Sequence, residues 1–352
     1  MRGGTSKGPF FNAADLPSDP VIRDRVLLRV MGSPDKRQID GLGGAVTVTS
    51  KTAIISPSDH EWAQVDYLFA QVSINEAIVD TAPSCGNMLS AVAPYALEQG
   101  MVPAENGETR IRIRNVNTNA LIEAVIQTPD GCVTYEGDTA ISGVPGTGSP
   151  IILHLSDIIG SKTGKLFPTG NSRDLVNGVN VSCVDVAMPM VFVPANEIGK
   201  TGYESKAELD GDKEFLQRLE ELRLAAAQLM GLGDVRDSVV PKIALVAPPQ
   251  QGGVLASRYF TPKTAHPSYA GLGSMCVATA AALEDTVVND VAQQTDDGNV
   301  MIEHPAGTIE VGVEIAMQDG EPQVTATIIR TARRLFDGYV YIPGDVWDNT
   351  GK

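Results

Sequence analysis

Two stretches of this chain, CGNMLSAVAPYALEQG (85–100) and GSMCVATAAALE (273–284), read as helices that are apolar or small on nearly every face. A helix of that kind has to be buried. The two lie half a chain apart, and each sits among short, strand-like runs broken by Gly, Pro, Asn and Asp. Examples are VTVTSKTAIIS, TRIRIRNVNT, LIEAVIQT, MPMVFVPA, KIALVAPP and GTIEVGVEIAM. This is the pattern of an internal duplication: two similar units, each a sheet wrapped around one buried helix.

The 352 residues are about twice a typical domain, which suits that division. The crossing point is expected in the Gly/Pro-rich stretch SGVPGTGSP, residues 142–150. The units are therefore expected over 1–150, joined by the C-terminal segment 329–352, and over 151–328. Helices are expected over 21–31, 86–99, 212–230 and 274–283. The third carries an apolar stripe through Phe215, Leu219, Leu222, Ala226, Leu229 and Met230 and stops at Gly231, as a structural amphipathic helix does.

A formal net charge of −16 repels polyanions, which argues against a nucleic-acid or anionic-membrane surface. An anionic small substrate would need a local pocket of cations and helix N-termini working against that field. The four cysteines, Cys85, Cys132, Cys183 and Cys276, are widely spaced and form no CxxC, so neither a zinc site nor a disulfide framework is indicated. His60, His154 and His304 have no metal-ligand spacing. With no signal-peptide core at the N-terminus and no long apolar span, the chain is expected to be cytoplasmic.

Chemistry is sought first at Pro83-Ser84-Cys85-Gly86-Asn87, where a cysteine opens one of the buried helices. Helix-start amides favour a thiolate, and they also hold a carboxylate or a developing enolate oxygen. The plainer reading is a cysteine packed as a small hydrophobe. In GGAVTVTSKTAII, Lys51 interrupts a β-prone run. In strict alternation it shares a face with Thr49 and Ala53, and a partly desolvated lysine there is a usable base. The plainer reading is a solvated edge lysine. The opening Arg2-Gly3-Gly4-Thr5-Ser6-Lys7-Gly8 offers amides, hydroxyls and cations suited to an anion, or else is a flexible tail. In the second half, Arg258 and His266 precede the helix opened by Gly273-Ser274-Met275. Cys276 is read as core.

Taken together, RGGTSKG, DGLGGAVTVTSK, VDTAPSCGNML and RIRNVNTN resemble the family of 2-methylaconitate isomerases and 4-oxalomesaconate tautomerases, the PrpF-like proteins. KTGKLFPTGN, GKTGYE, AAQLMGLGD, VPKIALVAPP and IEHPAGTIEV extend the likeness along nearly the whole chain. The resemblance implies an α+β, diaminopimelate-epimerase-like fold of two pseudo-symmetric domains with an active site in the cleft between them. It implies an isomerase that needs no cofactor and no metal, with Lys51 and Cys85 as its acid/base pair. Its substrate would be a small, anionic, unsaturated tricarboxylate bound by Arg2, Gly3, Gly4, Thr5, Ser6, Gly86, Asn87, Arg258, His266, Ser274 and Met275.

Within the family, VDTAPSCGNML and RIRNVNTN are more like the oxalomesaconate branch, a step in aromatic-acid catabolism. A homodimer is a further expectation by family similarity. Family members usually carry several residues before RGG, whereas here Met1 precedes Arg2 directly, which leaves open whether the N-terminus is shortened. The diaminopimelate epimerases use a second cysteine where this chain has Gly273-Ser274-Met275, so two-cysteine racemisation is not expected.

Overall fold

A computed structural model describes residues 1–156, 158–236, 238–261, 263–294, 298–318 and 321–347. The last residues of the expected C-terminal segment, 348–352, lie outside the described residues. The chain forms two compact units: unit 1 is Met1–Leu153 with Arg330–Lys352, and unit 2 is His154–Ile329.

Unit 1 opens with short strands β1 (Arg2–Gly3), β2 (Ser6–Lys7) and β3 (Phe10–Asn12), then helix α1 (Pro20–Met31). Strands β4 (Lys51–Pro57), β5 (Val65–Val72) and β6 (Val79–Asp80) lead to helices α2 (Gly86–Leu89) and α3 (Val92–Glu98). Strands β7 (Gly107–Asn115), β8 (Leu121–Thr128) and β9 (Ile151–Leu155) follow. The chain passes into unit 2 within β9.

Unit 2 contains β10 (Asp174–Val176), β11 (Val179–Val186), β12 (Met188–Pro194), helices α4 (Lys206–Gly211) and α5 (Lys213–Leu229), β13 (Lys242–Ala247) and β14 (Leu255–Phe260). Helix α6 (Gly271–Ala282) and strands β15 (Asn299–His304), β16 (Gly307–Gln318) and β17 (Glu321–Arg330) complete it. The chain then returns to unit 1 with β18 (Ala332–Arg333).

The duplication is written in the strand pairings. In unit 1, β3 pairs parallel to β4, β4 antiparallel to β5, β5 parallel to β7, and β7 antiparallel to β8. In unit 2 the same alternation runs through β12, β13, β14, β15 and β16. The helices fall at matching places: α1 and the α4–α5 pair cross over before β4 and β13, and α2–α3 and α6 cross over before β7 and β15. Parallel neighbours need such crossovers, because a hairpin can join only antiparallel strands.

Each unit buries its small-residue helix. In unit 1, Met88, Leu89, Val92, Ala93 and Ala96 are buried; in unit 2, every residue from Gly273 to Ala281 is. The other helices cover the sheets from outside. Val26, Leu27, Val30 and Met31 of α1 pack on Ile54, Ala70 and Val72, and Phe215, Leu219, Leu222 and Ala226 of α5 pack on Ile243 and Leu245. Among the described residues no helix is long and apolar enough to cross a membrane.

Four local expectations are corrected. The run VTVTSKTAIIS is not one strand: Thr47–Thr49 is a 3₁₀ turn, closed by Thr49 N donating to Val46 O at 2.9 Å, and the strand begins only at Lys51. The helix expected over 86–99 is broken between α2 and α3. Pro94 has no N–H and its ring crowds the carbonyl four residues back, at Ser90, which is where the helix parts. The helix expected from Ser274 starts earlier, at Gly271, so Ser274 and Met275 lie inside it rather than at its mouth. Leu229, placed on the apolar stripe of α5, is 52 % exposed, whereas the next residue, Met230, closes the core.

Candidate active site

The antiparallel register of β4 and β5 puts Lys51 opposite Gln71, Ala53 opposite Phe69 and Ile55 opposite Tyr67. Lys51 is half-buried, and its Nζ donates to Gln71 Oε1 at 2.8 Å. The ammonium also lies over the Phe69 ring, 4.9 Å from its centroid, within cation–π range. Both partners are uncharged, and no carboxylate pairs with it among the described residues.

Cys85 caps the first turn of α2 in an extended conformation and is 9 % exposed. The buried Tyr67 hydroxyl donates to Cys85 O at 3.2 Å, and burial, then Cys85, keep that phenol far above its usual range. The approach to Cys85 is tied down by the asparagines of RIRNVNTN. Asn117 accepts from Phe69 N at 2.8 Å and donates to Phe69 O at 2.8 Å and Thr81 O at 2.7 Å. Asn115 donates to Ser84 Oγ and accepts from Asn117 N. Because α2 is a single turn, what it offers beside Cys85 is its local first-turn amides, which have no partner within a helix.

The RGGTSKG segment is an ordered brace. Thr5 N donates to Asn87 Oδ1 at 3.3 Å, and Asn87 Nδ2 donates to Thr5 Oγ1 at 2.9 Å. A Cβ on Gly3 would overlap the carbonyl of Asn87, and one on Gly8 would overlap the carbonyl of Lys51. These glycines let one loop pack against both the Cys85 turn and the Lys51 strand. Two of the loop's amides have partners within the protein: Gly4 N donates to Thr331 O at 3.0 Å and Gly8 N to Met1 O at 3.1 Å. Arg2 turns its Nη1 to Gly4 O at 2.9 Å and Thr331 O at 2.8 Å, and Ser6 is buried. Burial, then neighbouring Arg333, hold the Arg2 guanidinium below its ordinary range.

The second-half candidates belong to unit 2. Arg258 is 8 % exposed, with Nε on Glu204 O at 2.8 Å and Nη1 on Ser257 O at 3.0 Å and Glu303 O at 3.4 Å, leaving Nη2 outside these bonds. His266 meets the Tyr259 ring edge-on at 5.7 Å and accepts from Ser268 N at 3.0 Å. Ser274 donates to Gly271 O at 2.7 Å and, like Met275, has no exposed surface. In unit 1 the loop's Thr5 and Gly3 lie against Asn87, and its Gly8 lies against the backbone of Lys51. The structure gives Ser274 and Met275 internal places in α6. Gln71, Phe69, Tyr67, Asn115 and Asn117 were not singled out as site residues by sequence; the asparagine-rich end of TRIRIRNVNT, anomalous for a strand, was their one local signal.

The order of pairings and the paired buried helices define an α+β, diaminopimelate-epimerase-like fold, shared with racemases and epimerases of solved structure. The family model described as PrpF protein matches residues 1–343, and the chain belongs to that family. It is 47% identical to the (4E)-oxalomesaconate Delta-isomerase of Novosphingobium sp. (strain KA1), over 97% of this chain and 96% of that protein. It is 46% identical to the 4-oxalomesaconate tautomerase of Pseudomonas putida, over 100% and 97%. Among solved structures, a methylitaconate-delta-isomerase superposes with a TM-score of 0.86 at 40% identity, covering 98% of this chain and 95% of that one. The protein is an isomerase.

Proposed function

We propose that the protein catalyses a cofactor-independent 1,3-proton shift on 4-oxalomesaconate, in the catabolism of aromatic acids, with Lys51 and Cys85 as acid and base. One of the pair removes a proton from a carbon next to the substrate's carbonyl or alkene, and the electron pair of that C–H bond moves into the conjugated system as an enolate. The other returns a proton at the far end of the system, so substrate and product are isomers and both residues finish in exchanged protonation states. Solvent resets them. First-turn amides at Gly86 and Asn87, with the side chains of Thr5 and Asn87, are the donors proposed for the enolate oxygen and a carboxylate.

The observation that carries this reading is that both residues are anchored to one face of β5, Lys51 through Gln71 and Phe69 and Cys85 through Tyr67. The oxalomesaconate enzymes at 47% and 46% identity support the choice of substrate. A second reading, isomerisation of a methyl-substituted acid such as 2-methylaconitate, draws on the likeness to the methylitaconate isomerase.

Ultraviolet absorbance of purified protein with each acid separates the two: turnover of 4-oxalomesaconate is expected, and turnover of 2-methylaconitate alone would overturn the choice. In D2O the product of a proton shift acquires solvent deuterium. A protein that binds the acid without isomerising it or exchanging its protons is a carboxylate-binding relative and not an enzyme for it.

A further inference from the structure

Alternate residues of a strand point to the same side, so Tyr67, Phe69 and Gln71 share one face of β5. Gln71 is fixed from behind: its Nε2 donates to Ser50 O at 2.7 Å and Thr47 O at 3.2 Å, which leaves Oε1 turned to Lys51 Nζ at 2.8 Å. The 3₁₀ turn at Thr47–Thr49, where a continuous strand was expected, supplies one of those carbonyls. Lys51 Nζ is drawn over Phe69, and the next side chain on that face, about 7 Å along a strand, is Tyr67. Its hydroxyl holds Cys85 O at 3.2 Å.

We propose that this face of β5 is the positioning element of the acid/base pair, with Gln71 aiming Lys51 and Tyr67 setting the backbone of Cys85. The proposal rests on the reading of Lys51 and Cys85 given above. A neutral lysine amine has two N–H groups and one lone pair. With one N–H held by Gln71 Oε1, the lone pair is steered away from that acceptor, and a protonated Lys51 keeps one donor on Gln71 while aiming the others elsewhere. The oxygen of Gln71 cannot be exchanged for its nitrogen without facing two carbonyls with a third, so the acceptor is fixed in place.

The test is steady-state kinetics of the full chain on 4-oxalomesaconate over a range of pH, with Gln71→Leu, Gln71→Glu, Tyr67→Phe and Lys51→Met. Misplacement of a reacting group lowers kcat by about 10- to 100-fold, so Gln71→Leu is expected to lose that much with KM and melting temperature close to the parent's. Gln71→Glu keeps an acceptor and adds a negative charge. Its second oxygen would face Ser50 O and Thr47 O where Nε2 now donates, so it is expected to recover only part of the kcat lost in Gln71→Leu, while moving upward in pH the limb of the profile that Lys51→Met abolishes. Tyr67→Phe removes only a hydroxyl and is expected to lower kcat and to alter the rate at which iodoacetamide modifies Cys85. Wild-type kcat and an unmoved pH profile in Gln71→Glu and Tyr67→Phe would overturn the positioning role, even were Gln71→Leu unable to fold. Full activity in Lys51→Met would instead sink the acid/base reading, and this proposal with it.

Discussion

In unit 1, β4 opens on Lys51; in unit 2, β13, its counterpart in the order of pairings, opens on Lys242. Lys51 is half-buried between an amide oxygen and an aromatic face. Lys242 is 8 % exposed, and burial, then Arg223, bring its ammonium down to about 8. The cysteines divide the same way. Cys85 caps the first turn of α2, whereas Cys183 and Cys276 have no exposed surface. Burial, then Asp174, push the Cys183 thiol up to about 12, and burial raises that of Cys276 as well. The duplication thus repeats a framework of pairings and buried helices. The differences lie in what each copy places around its lysine and at its helix: Gln71, Phe69 and Tyr67 in unit 1, bulk burial in unit 2. Equivalent places in a fold do not confer equivalent chemistry.

The comparison breaks most directly at the lysines. Lys51→Met is expected to lower kcat on 4-oxalomesaconate by on the order of 10²–10⁴, measured beside Lys242→Met; a larger loss at Lys242 would reverse the assignment of chemistry to unit 1.

Next come the thiols. In a Cys132→Ser background, which removes the exposed cysteine, iodoacetamide at neutral pH is expected to label Cys85 while Cys183 and Cys276 stay unlabelled in the folded protein. Activity should fall in step with the label, read by peptide mass spectrometry. Labelling of Cys276 at the same rate would show that α6 is not the closed core described.

Gly8→Ala sharpens the role of the brace. Its new methyl meets the carbonyl of Lys51, and overpacking of that kind costs about 1–3 kcal/mol. Urea unfolding should register the loss, with kcat reduced as the start of β4 shifts. A neutral outcome would show that the loop can move aside.

The smallest effect concerns Lys242 and pH. Its folded pKa of about 8 lies below the ordinary lysine value of 10.5, so the unfolded chain binds more protons between those values and stability rises with pH across that window. Below pH 8 the burial penalty is fully present. Lys242→Met removes it and is expected to stabilise the protein by roughly 1–2 kcal/mol at pH 7, a gain that shrinks toward pH 10.5. An equal gain at both ends would mean that the lysine's charge is not the source.

Much of this architecture was legible because it depends on local composition. Helices small and apolar on every face had to be buried, and Gly231 marked the end of α5 through its left-handed φ of 75°. Lys51 and Cys85 could be named from their segments and the family likeness, yet each kept a plain alternative. The break at Pro94 was also present in the sequence, and the uniform hydrophobicity around it masked the loss of one hydrogen bond.

By itself, then, the sequence determined which segments are buried, that they come in two related sets, and which residue types could exchange protons, because burial follows from periodicity and composition. Only the tertiary structure decided that Gln71 stands across from Lys51, that Tyr67 reaches the carbonyl of Cys85, that Asn117 bridges Phe69 to Thr81, and that Gly3 and Gly8 lean on the two site segments. The physical reason is register. A shift of β5 by one residue against β4 would turn Tyr67, Phe69 and Gln71 to the other face. That register is set by burial of Ile54 and Ala70 against α1 and of Ala53 and Phe69 within the unit, contacts that join distant parts of the chain and leave no local signature.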